Sequence, residues 1–263
     1  MWKRQIMCKW RTTVLSLLAI PTVYAHDPVF GVGPHVLFKD GIEISLAGSR
    51  TKSSERQTES ELEIKYGITG DWVAGISTGY ARTESAERSN IGRAPSSIST
   101  KYRFWRNDMF RAQESTAVFG KIILNDGRNN GVDLDGKDYL LGISYGYEGR
   151  KWYRWASARH RFNSDTALGT ERPNIWLLDL ATGIRFSPTE YLEPDWVWML
   201  ELNGEMTKDP SHGGGQWFVS PGLMWTYRNV AARAGVQLHL LDDLAKDREG
   251  DDYRAMFELE WHL

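Results

Sequence analysis

The sequence predicts an all-β protein, a transmembrane antiparallel up-and-down β-barrel of about twelve strands. Three observations predict it. Apolar and polar residues alternate with period two along a dozen stretches, short turns and longer polar loops alternate between them, and 12 Trp and 11 Tyr stand in an otherwise hydrophilic chain of 263 residues. Period two marks strands that are wet on one face and greasy on the other. Trp and Tyr gather where such a wall crosses the two membrane interfaces.

The N-terminus reads as a secretory signal peptide over residues 1–25, with the barrel as one domain over 26–263. Lys3, Arg4, Lys9 and Arg11 form its positive first region, Val14 to Ile20 its short apolar core, and Val23-Tyr24-Ala25 its cleavage point. That core is too short for a spanning helix, and no later run approaches the ~20 apolar residues one needs. The sole cysteine, Cys8, falls inside the signal, so neither a disulfide nor a cysteine-ligated metal is expected. Four of the 32 basic residues and none of the 34 acids lie in this segment, leaving the remainder at a formal −6. Mild acidity argues against a nucleic-acid partner, which needs a basic face.

The lipid-facing residues of the stretches follow in order. The first carries Ile42, Ile44 and Leu46, with Glu43 inward. The second carries Leu62, Ile64 and Tyr66 against Glu61, Glu63 and Lys65. The third runs from Trp72 to Tyr80 with Gly75, Ser77 and Gly79 inward. The fourth holds Ile98, Tyr102 and Phe104 against Ser99, Lys101 and Arg103. The fifth has Val118 and Ile122, the sixth Tyr139, Leu141, Ile143 and Tyr145. The seventh, Trp152 to Phe162, has the least clear register, with Arg159 and Arg161 placed inward. The eighth sets Trp176, Leu178 and Leu180 against Asp179 and Arg185. The ninth sets Trp196, Trp198 and Leu200 against Glu201 and Glu205. The tenth is Trp217 to Tyr227. The eleventh sets Val236 and Leu238 against Arg233 and His239. The twelfth sets Phe257, Leu259, Trp261 and Leu263 against Arg254, Glu258, Glu260 and His262. At a helical period Glu61, Glu63 and Lys65 would not share a face.

Turn chemistry at Thr69-Gly70-Asp71, Asn107-Asp108, Glu148-Gly149-Arg150 and Asn229 predicts tight hairpins. Longer loops are expected near 50–57, 83–95, 125–136, 163–173, 207–215 and 242–251, with a Pro-containing connection at 187–195 on the short side. This asymmetry is that of an outer-membrane barrel with brief periplasmic turns, longer external loops and both termini periplasmic. The final strand alternates up to Leu263, like the signature by which barrels reach their assembly machinery. The other expected partners are the bilayer, lipopolysaccharide and a small solute.

In hydrocarbon every backbone N–H and C=O needs an internal partner, so without a spanning helix only a closed barrel remains. The expected lumen and solute path is then lined by Glu43, Glu61, Glu63, Lys65, Lys101, Arg103, Asp179, Arg185, Glu201, Glu205, Arg233, His239, Arg254 and Glu258. Two outcomes stay open. The mixed charges pair and close the interior, or acids and bases segregate onto opposite walls and leave a narrow polar path.

Catalytic and metal constellations are weak. His26 and His35 flank the lead-in to the first strand but do not fill a tetrahedral site. His160 with Ser164, and Ser211 with His212, lack the spacing of a nucleophile and its base. Asp126, Asp133, Asp135 and Asp138 do not match a calcium loop. No enzyme, cofactor or metal is expected. The leading function is passive passage of small solutes; the rivals are a non-conducting structural or surface-binding barrel and a barrel lipid hydrolase.

The segment His26-Asp-Pro-Val-Phe-Gly-Val-Gly-Pro-His-Val-Leu-Phe-Lys39, followed by an alternating strand, resembles the start of a family of outer-membrane transporters named after the meta pathway of phenol degradation. The resemblance is specific over about twenty residues and implies a porin-like barrel that passes small, including aromatic, compounds. It carries over no binding residue.

Overall fold

The computed structural model describes residues 27–86, 89–126, 135–165, 172–187, 193–207, 214–243 and 250–263. The expected signal peptide, His26, Asp133, Ser211 and His212 lie outside them.

Twelve strands form in chain order: β1 (Ile42–Lys52), β2 (Arg56–Thr69), β3 (Trp72–Glu84), β4 (Ser89–Met109), β5 (Ala112–Asp126), β6 (Asp135–Gly149), β7 (Trp152–Phe162), β8 (Ile175–Ser187), β9 (Asp195–Thr207), β10 (Gly214–Tyr227), β11 (Val230–Asp242) and β12 (Tyr253–His262). Each pairs antiparallel with its sequence neighbours, and β1 closes on β12. The closing seam runs in register from Glu43 opposite His262 to Lys52 opposite Tyr253, and Ile42 and Leu263 exchange two further backbone hydrogen bonds. Closure gives every strand two ladders, which removes the sheet edge that hydrocarbon would not tolerate. Among the described residues no helix is long and apolar enough to cross a membrane.

Alternation sets the two faces as the pattern predicts. Leu46, Ile76, Tyr80, Leu141, Leu200 and Phe257 are all more than half exposed on the outer wall. Their partners across each ladder share that face, giving an apolar band. The opposite face turns into the lumen. The structure is a transmembrane antiparallel β-barrel.

Three expected boundaries move. Residues 89–95, read as loop, are the first part of β4, paired with β3 from Glu84 opposite Ser89 to Gly79 opposite Ala94. Asn107 and Asp108 do not turn; they pair with Glu114 and Gln113, and the reversal falls at Phe110-Arg111, where Arg111 takes φ 64°. The loop at 50–57 shrinks to 53–55. The reason is common to all three. Where a hairpin projects beyond the apolar band both its faces meet water, so alternation disappears although the ladder continues. A bulge between Arg103 and Trp105 adds to the shift on β4, so that Phe104 and Trp105 are both exposed.

Candidate functional site

The lumen is built from the inward residues and from one element the pattern did not place there. The segment before β1, expected as a lead-in outside the barrel, enters the lumen and lies against the β6–β11 wall. Val29 is 2% exposed and packs with Tyr153, Trp155, Ala181, Val197, Met199 and Met224, while Phe30 packs on the rim of this cluster. The segment has no strand partner, so side chains of the wall satisfy its backbone. The Glu201 carboxylate accepts the amides of Val29 at 2.6 Å, Phe30 at 3.2 Å and Gly31 at 3.0 Å. Arg233 donates to the carbonyls of Asp27 at 2.9 Å and Pro28 at 2.7 Å. Lys101 donates to the Asp27 carboxylate at 2.8 Å and to the Gly33 carbonyl at 2.9 Å. A buried carboxylate is tolerated only when such donors replace its water.

Wall glycines make room for the segment. A Cβ on Gly222 would stand 2.8 Å from a Val29 methyl, and one on Gly146 would stand 2.8 Å from the Pro34 ring. Inward glycines here are a matter of close approach rather than of weak strands.

Beside this segment a cavity of about 1450 Å³ remains. It reaches from Gly70, Arg228 and Asn229 at the turn end to Ser49 and Glu59 near the loop end. A smaller cavity of about 370 Å³ follows at the loop end, between Thr51, Gln57, Thr83 and Arg254.

Of the fourteen residues expected to line the lumen, Glu43, Glu61, Glu63, Lys65, Lys101, Arg103, Arg233 and Glu258 border the main cavity. Asp179 and Glu201 point inward but are covered. Glu201 holds the segment, and Asp179 accepts from Ser157 at 2.6 Å, Arg159 at 2.7 Å and Asn203 at 2.9 Å. Arg185 pairs with Asp195 at 2.7 Å and donates to the Tyr153 hydroxyl. Arg254 pairs with Glu205 and lies 4.7 Å over the Phe218 ring, while His239 sits 3.2 Å from Asp242. Glu260 and His262, inward by the alternation of the twelfth stretch though not counted in the expected path, also line the cavity, as do Glu59, Lys121, Arg106, Phe119 and Leu140, which the pattern did not single out. Lys121, Phe119 and Leu140 lie on β5 and β6 at positions one step from their lipid-facing neighbours, so alternation alone could have found them.

The cavity walls are divided by charge. Around the arc β12, β1, β2 the lining carboxylates are Glu258, Glu260, Glu43, Glu63, Glu61 and Glu59. Lys65 stands among them, 2.8 Å from Glu43 and 3.3 Å from Glu63, and Arg233 from β11 pairs with Glu258 at 2.7 Å and Glu260 at 2.8 Å. From β3 to β7 the lining includes no carboxylate; it carries Lys101, Arg103, Arg106, Lys121 and Arg159. Lys121 reaches across to Glu61 at 3.5 Å, bridging a trough of small residues such as Gly75 and Ser99.

The other constellations resolve into structure. Glu43, Glu260 and His262 bring three donor atoms within 4.8 Å of one another, but each carboxylate already faces the Lys65 or Arg233 cation. His35 faces Glu148. His160 points outward between the Phe162 and Trp176 rings, whereas the Ser164 hydroxyl bonds Asp138 at 2.9 Å, so the two form no dyad. Asp138 is fully buried against Arg161, Arg172 and Ser164, which leaves it no role in a calcium loop.

No family model matches the chain, and no curated protein sequence matches it. Solved structures do. The COG4313 outer membrane channel from Pseudomonas putida F1 superposes with a TM-score of 0.62 at 11% identity, over 88% of this chain and 97% of that one. The NanC porin superposes with a TM-score of 0.53 at 10% identity, over 83% of this chain and 98% of that one. At such identities the likeness is one of fold: the chain has the fold of outer-membrane β-barrels.

Proposed function

We propose that this protein is an outer-membrane channel through which small solutes pass passively, beside the segment that lies against one side of its lumen. The observation that carries this reading is the cavity of about 1450 Å³ that reaches from the turn end to near the loop end, lined by charged and apolar side chains together. A barrel meant only as a structural wall has no need to keep that space; its side chains would fill it. Phe30, Phe119 and Leu140 add an apolar surface to the charged walls, which suits solutes of mixed polarity, small aromatic compounds among them.

The wider setting belongs to the same proposal. Residues 1–25 direct export and are removed, the longer loops face outward among lipopolysaccharide, both termini of the barrel chain face the periplasm, and the last strand is read by the assembly machinery. The positive start, the apolar core and the alternation up to Leu263 support these points.

Purified protein in planar lipid bilayers is expected to give discrete conductance steps. A barrel that is folded, as shown by a gel migration that changes on boiling, yet electrically silent contradicts the proposal.

A further inference from the structure

We infer that the path favours small zwitterions, whose ammonium and carboxylate groups engage the acidic and basic arcs at the same time. This rests on the channel reading above and names its solute class. Charges of opposite sign on facing walls of a low-dielectric tube set up a field across the path rather than along it. An ion of either sign is attracted to one wall and repelled by the other. A dipolar solute can turn so that both ends are favourable, and it regains from the walls some of the hydration it loses on entering.

The acidic arc holds six carboxylates against Lys65 and Arg233. Of the bases on the other arc, Lys101 pairs with Asp27, Arg103 with Asp71, Arg106 with Asp108 and Arg159 with Asp179, whereas Lys121 finds its carboxylate across the path on the acidic arc. The two arcs meet at Glu61 and Lys121, 3.5 Å apart and both partly exposed. That pair is a long one, and each partner is open to exchange. A solute ammonium can take the place of the Lys121 ammonium beside Glu61, with Glu59 next along β2, while its carboxylate takes the place of Glu61 beside Lys121. Phe119, two residues before Lys121 on the inward face, and Leu140 on β6 offer a surface for a short carbon chain. The chemistry described is that of a small amino acid.

The test uses two neutral-overall isomers, β-alanine, which is a zwitterion, and lactamide, which carries no charges. Liposomes containing the full barrel are diluted into isotonic solutions of each, and the swelling rate is corrected for protein-free liposomes. β-Alanine is expected to enter about threefold faster or more, against its greater cost of dehydration. Glu61→Gln combined with Lys121→Met should bring the two rates together while bilayer conductance persists and the barrel still shifts on heating. Equal rates through the unaltered barrel overturn the inference and leave the channel reading standing, as does a preference that survives the double substitution. A folded barrel that admits neither solute and passes no current overturns the channel reading itself.

Discussion

The two sides of the lumen differ in what covers them. Along β7 to β10 the inward positions Tyr153, Trp155, Ala181, Val197, Met199 and Met224 are apolar and buried, and Val29 sits on them. Along β1 to β5 many inward positions are charged or small, as at Glu43, Glu63, Lys65, Gly75, Ser99 and Lys101, with Val73 and Phe119 among them, and they border the cavity. The outer wall shows no such contrast. The same alternation therefore serves two interiors, one dry and one wet. What differs is which residue types occupy the inward half of the period.

That difference can be broken with one kind of substitution placed on each side. Gly222→Leu puts a side chain where Val29 lies and should dislodge the segment from its seat. Unitary conductance is expected to rise about threefold, toward that of an emptier twelve-strand barrel. Gly75→Leu on the wet side meets the Ser99 hydroxyl, the Lys65 stem and the Glu63 carboxylate, side chains that can shift, so it should be accommodated and cut conductance to about half. Planar-bilayer recording reads both, and effects of the same sign would erase the distinction.

Glu201→Gln sharpens it more gently. The shape is kept, but three amides lose a charged acceptor. A hydrogen bond to a charged group contributes about 1.5–3 kcal/mol, so opening of the segment should become about tenfold or more frequent. Hydrogen exchange at Val29, Phe30 and Gly31 measures this, and unchanged protection would show that Glu201 does not hold the segment. On the wet side Lys65→Met leaves Glu43 and Glu63 without their shared cation. Reversal potentials in a salt gradient should move toward cation selectivity, since both acids border the cavity. Smallest of all, Arg82→Ala removes an exposed pair with Glu84 and should change stability by no more than about 0.5 kcal/mol in urea unfolding.

The barrel was legible because lipid and lumen impose opposite demands on successive residues, and that contrast survives even where a single strand is ambiguous. The seventh stretch was the hardest to orient, and the structure shows why: Tyr153 and Trp155 face inward while Arg154 faces outward, 5.9 Å over the Tyr147 ring. The inner segment was not legible as such. Val29-Phe30-Gly31-Val32-Gly33-Pro34 carries no period, and its chief acceptor, Glu201, is 172 residues away from Val29. A signal did exist. The large apolar residues Tyr153, Trp155, Val197, Met199 and Met224, which fall at inward positions of the later stretches, require something apolar to cover them. The charged inner residues were found from spacing, but their division into arcs was not, because it depends on which strands lie opposite once the sheet has closed.

Thiol accessibility across the lumen tests the account most directly. With the native Cys8 replaced by serine, single cysteines are placed at Ser99 and Lys121 on the wet side and at Ser157 and Ser220 on the covered side. A membrane-impermeant thiol reagent should react with the first two and reduce the current, while leaving Ser157→Cys and Ser220→Cys unmodified. Equal reactivity on both sides, or reaction confined to the covered pair, would contradict a path that runs along β1 to β5 beside a seated N-terminal segment.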